Sequence, residues 1–97
     1  MMKTPEDYLA EVKAASDADW KERKYTLPAP EFHLEAGSKY IRLVVTSYGQ
    51  RSVHCFLDKE GNIYKAASWK IPAKGIRGNI NNDKKPLRGW EYYNRYV

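Results

Sequence analysis

The residues best suited to chemistry lie between Arg51 and Ile80, where cationic side chains are interleaved with aromatics and end in a glycine-containing run. In Lys74-Gly75-Ile76-Arg77-Gly78 the glycines allow turns whose backbone N–H groups converge on an anion, and Lys74 and Arg77 add charge. Arg42, Arg51, Lys65 and Lys70 supply further cations for phosphate contact. Tyr48 and Trp69 are rings on which unpaired bases could stack, as they do on the sheet surfaces of several single-strand-binding modules. The spacing matches neither a Walker loop nor a dinucleotide fingerprint. The competing reading is purely structural: Tyr48 and Trp69 lie in the core under the C-terminal tail, and Gly75 and Gly78 only shape a turn.

Other reactive side chains form no constellation. His54 and Cys55 are adjacent in an extended stretch, so their side chains point to opposite faces. Thiolate–imidazole chemistry would need His33 brought to Cys55, and a buried structural cysteine is the simpler reading. Two histidines and one cysteine match no zinc spacing. The carboxylates cluster in the first third of the chain, where helix-dipole and edge-strand roles account for them. The expectation is a non-enzymatic chain with no catalytic residue, metal site or cofactor.

The 97 residues suit a single domain, with 42% hydrophobic and 30% charged residues, a globular balance. No apolar run approaches the roughly 20 residues a membrane helix needs, so no membrane partner is expected. The acidic N-terminal stretch lacks a signal-peptide core. A lone cysteine fits a reducing cytoplasm. The net charge of +5 is unevenly spread. Residues 1–37 hold five Lys/Arg against eight Asp/Glu, and residues 38–97 hold twelve against four. Such a division suggests a basic face turned toward an anionic partner.

These residues need elements to position them. Thr4-Pro5-Glu6-Asp7 is a helix start, and Tyr8, Leu9, Val12, Ala15 and Trp20 form one apolar stripe, predicting a helix over about residues 5–22. Leu27-Pro28-Ala29-Pro30 is a connector. Glu31–Glu35 alternates as an acidic edge strand, and Lys39–Tyr48 is the clearest strand. Gly49-Gln50 reads as a two-residue turn, Arg51–Leu57 as the returning strand, Asp58–Asn62 as a loop with Gly61 left-handed, and Ile63–Ile71 as the next strand.

Those turns predict a register. Tyr48 faces Arg51, Val44 faces Cys55, Leu43 faces Phe56, Phe56 faces Tyr64 and Arg51 faces Trp69. Paired residues share a face. One face would carry Ile41, Leu43, Val45, His54, Phe56, Tyr64 and Ala66 and pack on the helix. The other would carry Arg42, Val44, Tyr48, Arg51, Val53, Cys55, Leu57, Ile63, Lys65, Ala67 and Trp69. It would be covered by the tail or used for binding. From Pro72 the alternation fades, and Ala73–Pro86 reads as a long basic loop. Leu87–Val97 is aromatic and fits either a short helix or a strand.

The expected fold is α+β: an N-terminal helix on a three- to four-stranded antiparallel meander with a basic C-terminal extension. As one domain over 1–97, it divides into helix and connector (1–30), sheet (31–71) and basic aromatic extension (72–97).

The segment from Asp58 to Ile80, about a quarter of the chain, resembles a run in small uncharacterised proteins of tailed bacteriophages. Its distinctive parts are Ala66-Ala67-Ser68-Trp69-Lys70 and Ala73-Lys74-Gly75-Ile76-Arg77-Gly78. The resemblance implies a phage accessory protein acting in the cytoplasm of an infected bacterium, and it carries no catalytic residues with it. The leading expectation is a module that binds nucleic acid or another phosphate-bearing ligand. Alternatives are capture of a host protein, since Trp, Tyr and Arg favour interfaces, and sequestration of a nucleotide messenger.

Overall fold

Thr4 opens the chain's one described helix by a reciprocal cap. Its Oγ1 accepts the Asp7 N–H at 3.2 Å, and Asp7 Oδ2 accepts the Thr4 N–H at 2.9 Å. Hydrogen bonding from Thr4, its backbone N–H first, holds the Asp7 carboxyl below its ordinary value. In the computed structural model, which describes residues 3–23, 29–82 and 85–87, the helix α1 runs over Pro5–Arg23. Tyr8 and Val12 are its fully buried residues, with Leu9 packed beside them.

Five strands follow: β1 (Glu31–Ala36), β2 (Ile41–Ser47), β3 (Gln50–Leu57), β4 (Asn62–Ala66) and β5 (Pro72–Asn79). They form one antiparallel sheet in sequential order, so β1 and β5 are its edges. The architecture is α+β with one helix on the sheet, but with five strands rather than three or four.

The fifth strand corrects the expected loop from Pro72 onward. Residues 72–79 belong to the sheet, not to an extension, and β4 ends at Ala66 rather than Ile71. β5 pairs Asn79 with Asn62, Gly78 with Ile63, Ile76 with Tyr64 and Pro72 with Ala66. Two register shifts and a positive φ of 95° at Gly75 interrupt the period-two pattern. A strand that contains Pro72, Gly75 and Gly78 is therefore hard to recognise by alternation.

The β2–β3 turn also differs. Ser47 pairs with Gln50, so Tyr48 and Gly49 are the turn residues, with φ of 54° and 76°. Two successive left-handed residues are those of a type I′ turn, whose twist matches that of the flanking strands. The observed partners are Thr46 with Arg51 and Val44 with Val53, not Tyr48 with Arg51 or Val44 with Cys55. A register shift then leaves His54 as an extra residue on β3, so Leu43 pairs with Cys55, Arg42 with Phe56 and Ile41 with Leu57.

That bulge exchanges the faces of everything beyond it. Cys55, Leu57 and Ile63 join Tyr8, Val12, Phe32, Leu43 and Ile80 in the core under the helix. Phe56 and Tyr64 go to the opposite face with Arg42. The Asp58–Asn62 loop itself gives the expected pairing of Phe56 with Tyr64, and Asp58 N–H donates to the Asn62 carbonyl at 3.1 Å. The β3–β4 ladder stops there, so Arg51 and Trp69 are not ladder partners. Each fully buried aliphatic such as Leu43, Leu57 or Ile63 contributes about 1.5–3 kcal/mol.

Residues 85–87 cross between helix and sheet. Lys85 Nζ meets Glu11 Oε1 at 2.9 Å, the Tyr8 hydroxyl donates to the Pro86 carbonyl, and His54 Nε2 lies 3.2 Å from the Leu87 carbonyl. Burial depresses the His54 pKa, the Leu87 contact opposing it. Its ring also meets Phe32 edge-on at 5.3 Å, so His54 is a core residue. Of the expected aromatic tail, Leu87–Val97, residues 88–97 lie outside the described residues.

Gly78 sits beneath this crossing segment. A Cβ there would fall 2.6 Å from Pro86 Cδ, and Pro86 is held from the other side by Tyr8. Gly78→Ala is expected to cost about 1–3 kcal/mol through overpacking. Urea unfolding of the two proteins measures it, and equal midpoints would contradict the packing of Pro86 on β5.

Candidate functional site

Antiparallel order places the hairpin tips alternately. The β1–β2 and β3–β4 tips share one end of the sheet, and the β2–β3 and β4–β5 tips share the other. On the face away from the helix, a row of rings and guanidinium groups connects the two ends.

Tyr64 and Phe56 are direct partners across β3 and β4, and Tyr40 meets both edge-on, at 5.7 Å and 6.1 Å between centroids. Phe56 is 2% exposed, although it lies outside the core under the helix. The Arg42 guanidinium carbon lies 5.9 Å from the Phe56 ring and 4.8 Å from the Trp69 ring, and that of Arg51 lies 5.0 Å from Trp69. Cation–π attraction thus fixes Trp69 against two arginines. Both arginines also share Glu35: Arg42 Nη1 at 3.0 Å from Oε1, and Arg51 on Oε2. His33 Nε2 lies 2.9 Å from the same Oε2. The His33 hydrogen bond, followed by the arginine charges, holds the Glu35 carboxyl below its ordinary value.

The residues singled out for binding therefore divide into groups. Arg42, Arg51 and Trp69 come together, but much of the positive charge of the arginines is answered by Glu35. Tyr48 is 68% exposed at the β2–β3 tip, the same end of the sheet as Trp69. Lys70 and Lys74 are exposed and pair with no carboxylate among the described residues. Lys65 and Arg77 are half-buried and engaged in interactions of their own. Gly75 is exposed with positive φ, whereas Gly78 is buried and serves the packing of Pro86. Gly75 and Gly78 lie within an extended strand, so they do not form the compact anion-binding turn expected of them.

A cleft of about 540 Å3 opens at the other end, between the β1–β2 and β3–β4 tips. Tyr40 and Tyr64 line it, with Lys39, Lys59, Asn62 and Ile76. None of these was singled out in sequence. The usable signal was the Phe56–Tyr64 pairing set by the Gly61 turn, which already put two rings side by side. Asp58 holds the cleft in shape. Its carboxylate accepts the N–H groups of Glu60 and Asn62 (both 2.9 Å), the Asn62 amide (3.0 Å) and the Tyr64 hydroxyl (2.9 Å). Burial pushes the Asp58 carboxyl up, but the bonds from Asn62, Tyr64 and Glu60 outweigh it, and the net shift is downward. The Tyr64 phenol is pushed up to about 12 by burial and by Asp58, so it stays protonated and donating. Among the described residues no cluster of three or more His, Cys, Asp or Glu is placed to hold a metal ion.

The lowered Asp58 pKa has a defined sign. The stability it confers is fully present above the unfolded value of 3.8 and is lost as pH falls through the lower folded value. Asp58→Asn should lower stability by about 1.5–3 kcal/mol at neutral pH, the scale for hydrogen bonds to a charged group. The difference from the parent protein should shrink below 3.8. Urea unfolding at a series of pH values checks this, and a pH-independent difference would rule it out.

No curated protein and no solved structure matches this chain. No helix among the described residues is long and apolar enough to cross a membrane. A family of unknown function, DUF7717, matches residues 4–94, and the chain belongs to it.

Proposed function

We propose that the protein binds nucleic acid through the phosphate backbone, with the β4–β5 hairpin as its principal contact element. One observation carries this reading. The hairpin from Asn62 to Asn79 holds Lys65, Lys70, Lys74 and Arg77 and contains no carboxylate, and Lys70 and Lys74 stand exposed. A folded edge hairpin with four cations and no acid is an electrostatic surface for a polyanion. Arg51, half-exposed beside Trp69, extends that surface toward β3. Glu35 offsets Arg42 and Arg51, so the lysines of the hairpin supply the larger share of the attraction. The reading is of a binding module, not an enzyme.

The alternative is a phage accessory protein that captures a host protein. Tyr48 and Ile71, 68% and 62% exposed, support it as apolar contacts near the same end of the sheet. A partner retained from bacterial lysate after nuclease treatment favours this second reading, and one lost with nuclease favours the first.

Lys70→Ala combined with Lys74→Ala tests the primary reading. Each phosphate contact contributes about 0.7 (single strand) to 0.9 (duplex) to the slope of log affinity against log salt. The double variant should weaken binding across sequences and reduce the slope by about 1.4 to 1.8. Fluorescence titration with labelled oligonucleotides at several salt concentrations measures both. An unchanged slope would remove the hairpin from the interface.

A further inference from the structure

We infer that the cleft between the β1–β2 and β3–β4 tips seats an unpaired nucleobase, so that the substrate class is single-stranded nucleic acid. The inference rests on the preceding reading, in which the hairpin holds the phosphates.

The size of the cleft is the first argument. About 540 Å3 lies within the range of small-ligand sites and admits a nucleoside. Its walls are the second. Tyr40 and Tyr64 stand 76° to one another, and the Tyr64 ring is fixed by its hydroxyl bond to Asp58. A ring that is already immobile loses little freedom when a base stacks on it. Ile76, 40% exposed on β5, adds apolar surface from the hairpin itself.

Charge is the third argument, and it separates a base from a phosphate. Lys39 and Lys59 line the cleft together with Asp58 and Glu60, so the lining is formally neutral. A neutral aromatic cleft selects an uncharged planar group, whereas a phosphate would favour the acid-free hairpin. Ile76 lies in β5 two residues from Lys74, on the strand that borders the cleft. A strand whose phosphates follow the hairpin therefore has a base within reach of Tyr40 and Tyr64. Bases in a duplex are already paired and stacked, and one would have to be flipped out before it could enter.

Trp69 is the less suitable platform. Arg42 and Arg51 already lie within 5.0 Å of its ring centroid and are tied to Glu35, and a base would compete with both. The Tyr40 ring carries a single cation, the exposed Lys39 ammonium at 5.6 Å, which has no carboxylate partner among the described residues. The aromatic role expected of Tyr48 and Trp69 passes to Tyr40 and Tyr64.

The test compares a short labelled oligothymidylate with an abasic sugar-phosphate oligomer of the same length and charge. The parent protein should bind the base-bearing strand about 5- to 150-fold more tightly, the range expected for stacking one base. Tyr40→Ala should reduce that preference and leave the abasic affinity unchanged, and Tyr40→Phe should restore it. Equal affinity of the parent protein for both oligomers overturns this inference and leaves phosphate binding standing. A preference that persists undiminished in Tyr40→Ala also overturns it, because a base seated in this cleft would lose one of its two aromatic walls. No binding to either oligomer at low salt overturns the phosphate reading as well. The parent comparison requires no substitution, so it stands even where a variant fails to fold.

Discussion

The contact on which the rest of the structure depends is the passage of residues 85–87 between the helix and the sheet. The Lys85 side chain is 3% exposed, and removing an ammonium from water to that extent costs several kcal/mol unless it is paired. Glu11 and the Asn82 carbonyl supply the partners, at 2.9 Å and 3.1 Å. Lys3 meets the same Glu11 oxygen at 3.2 Å, tying the start of the helix into the network. The Tyr8 hydroxyl on Pro86 and the close fit of Pro86 over Gly78 complete the clamp. A helix with only two fully buried apolar residues needs such help to stay on a sheet. Its position thus depends on polar contacts with a segment almost eighty residues away in sequence.

The second constraint is the β3 bulge. His54 is the extra residue, and it turns inward to Phe32 and the Leu87 carbonyl. Without it, Cys55, Leu57 and Ile63 would face away from the helix, and Phe56 and Tyr64 would face the core. One inserted residue thus builds both faces: it fills the core with aliphatics and sends the rings outward to form the row with Tyr40 and Arg42. Bulges commonly re-aim side chains near functional surfaces, and here one of the redirected side chains, Tyr64, lines the cleft.

This explains what could be read in the sequence. The helix, its Thr4 cap and the Gly61 loop were legible because each depends on residues within a few positions of one another. The pairing of Phe56 with Tyr64 followed from that loop alone. The bulge was not legible, because no glycine or proline marks it and the energy that fixes it comes from Phe32 and Leu87, distant in sequence. β5 was missed for the opposite reason. Pro72, Gly75 and Gly78 are residues that usually end strands, yet Gly78 is there because Pro86 leaves no room for a side chain. For the candidate site, the expected ladder pairing of Arg51 with Trp69 is not formed, and Arg42 and Arg51 meet that ring through cation–π contacts instead. The partial offset of the two arginine charges by the one Glu35 carboxylate depends on the pairing of β1 with β2, which brings Glu35 opposite Arg42.

That partial offset gives the basic surface its organisation. A net charge of +5 says only that cations exceed anions; it does not say which of them can meet a ligand. Arg42 and Arg51 are held by one carboxylate and one indole ring, so a phosphate recruiting them would have to compete with Glu35 and Trp69. Lys70 and Lys74 have no such competitor among the described residues, and moving them toward a phosphate costs little beyond side-chain entropy. The arginine–indole cluster is thus already engaged within the protein, and Lys70 and Lys74 are its free edge among the described residues. Rigid aromatics at one end and mobile cations along one edge suit a ligand that carries flat uncharged groups on a charged, flexible chain.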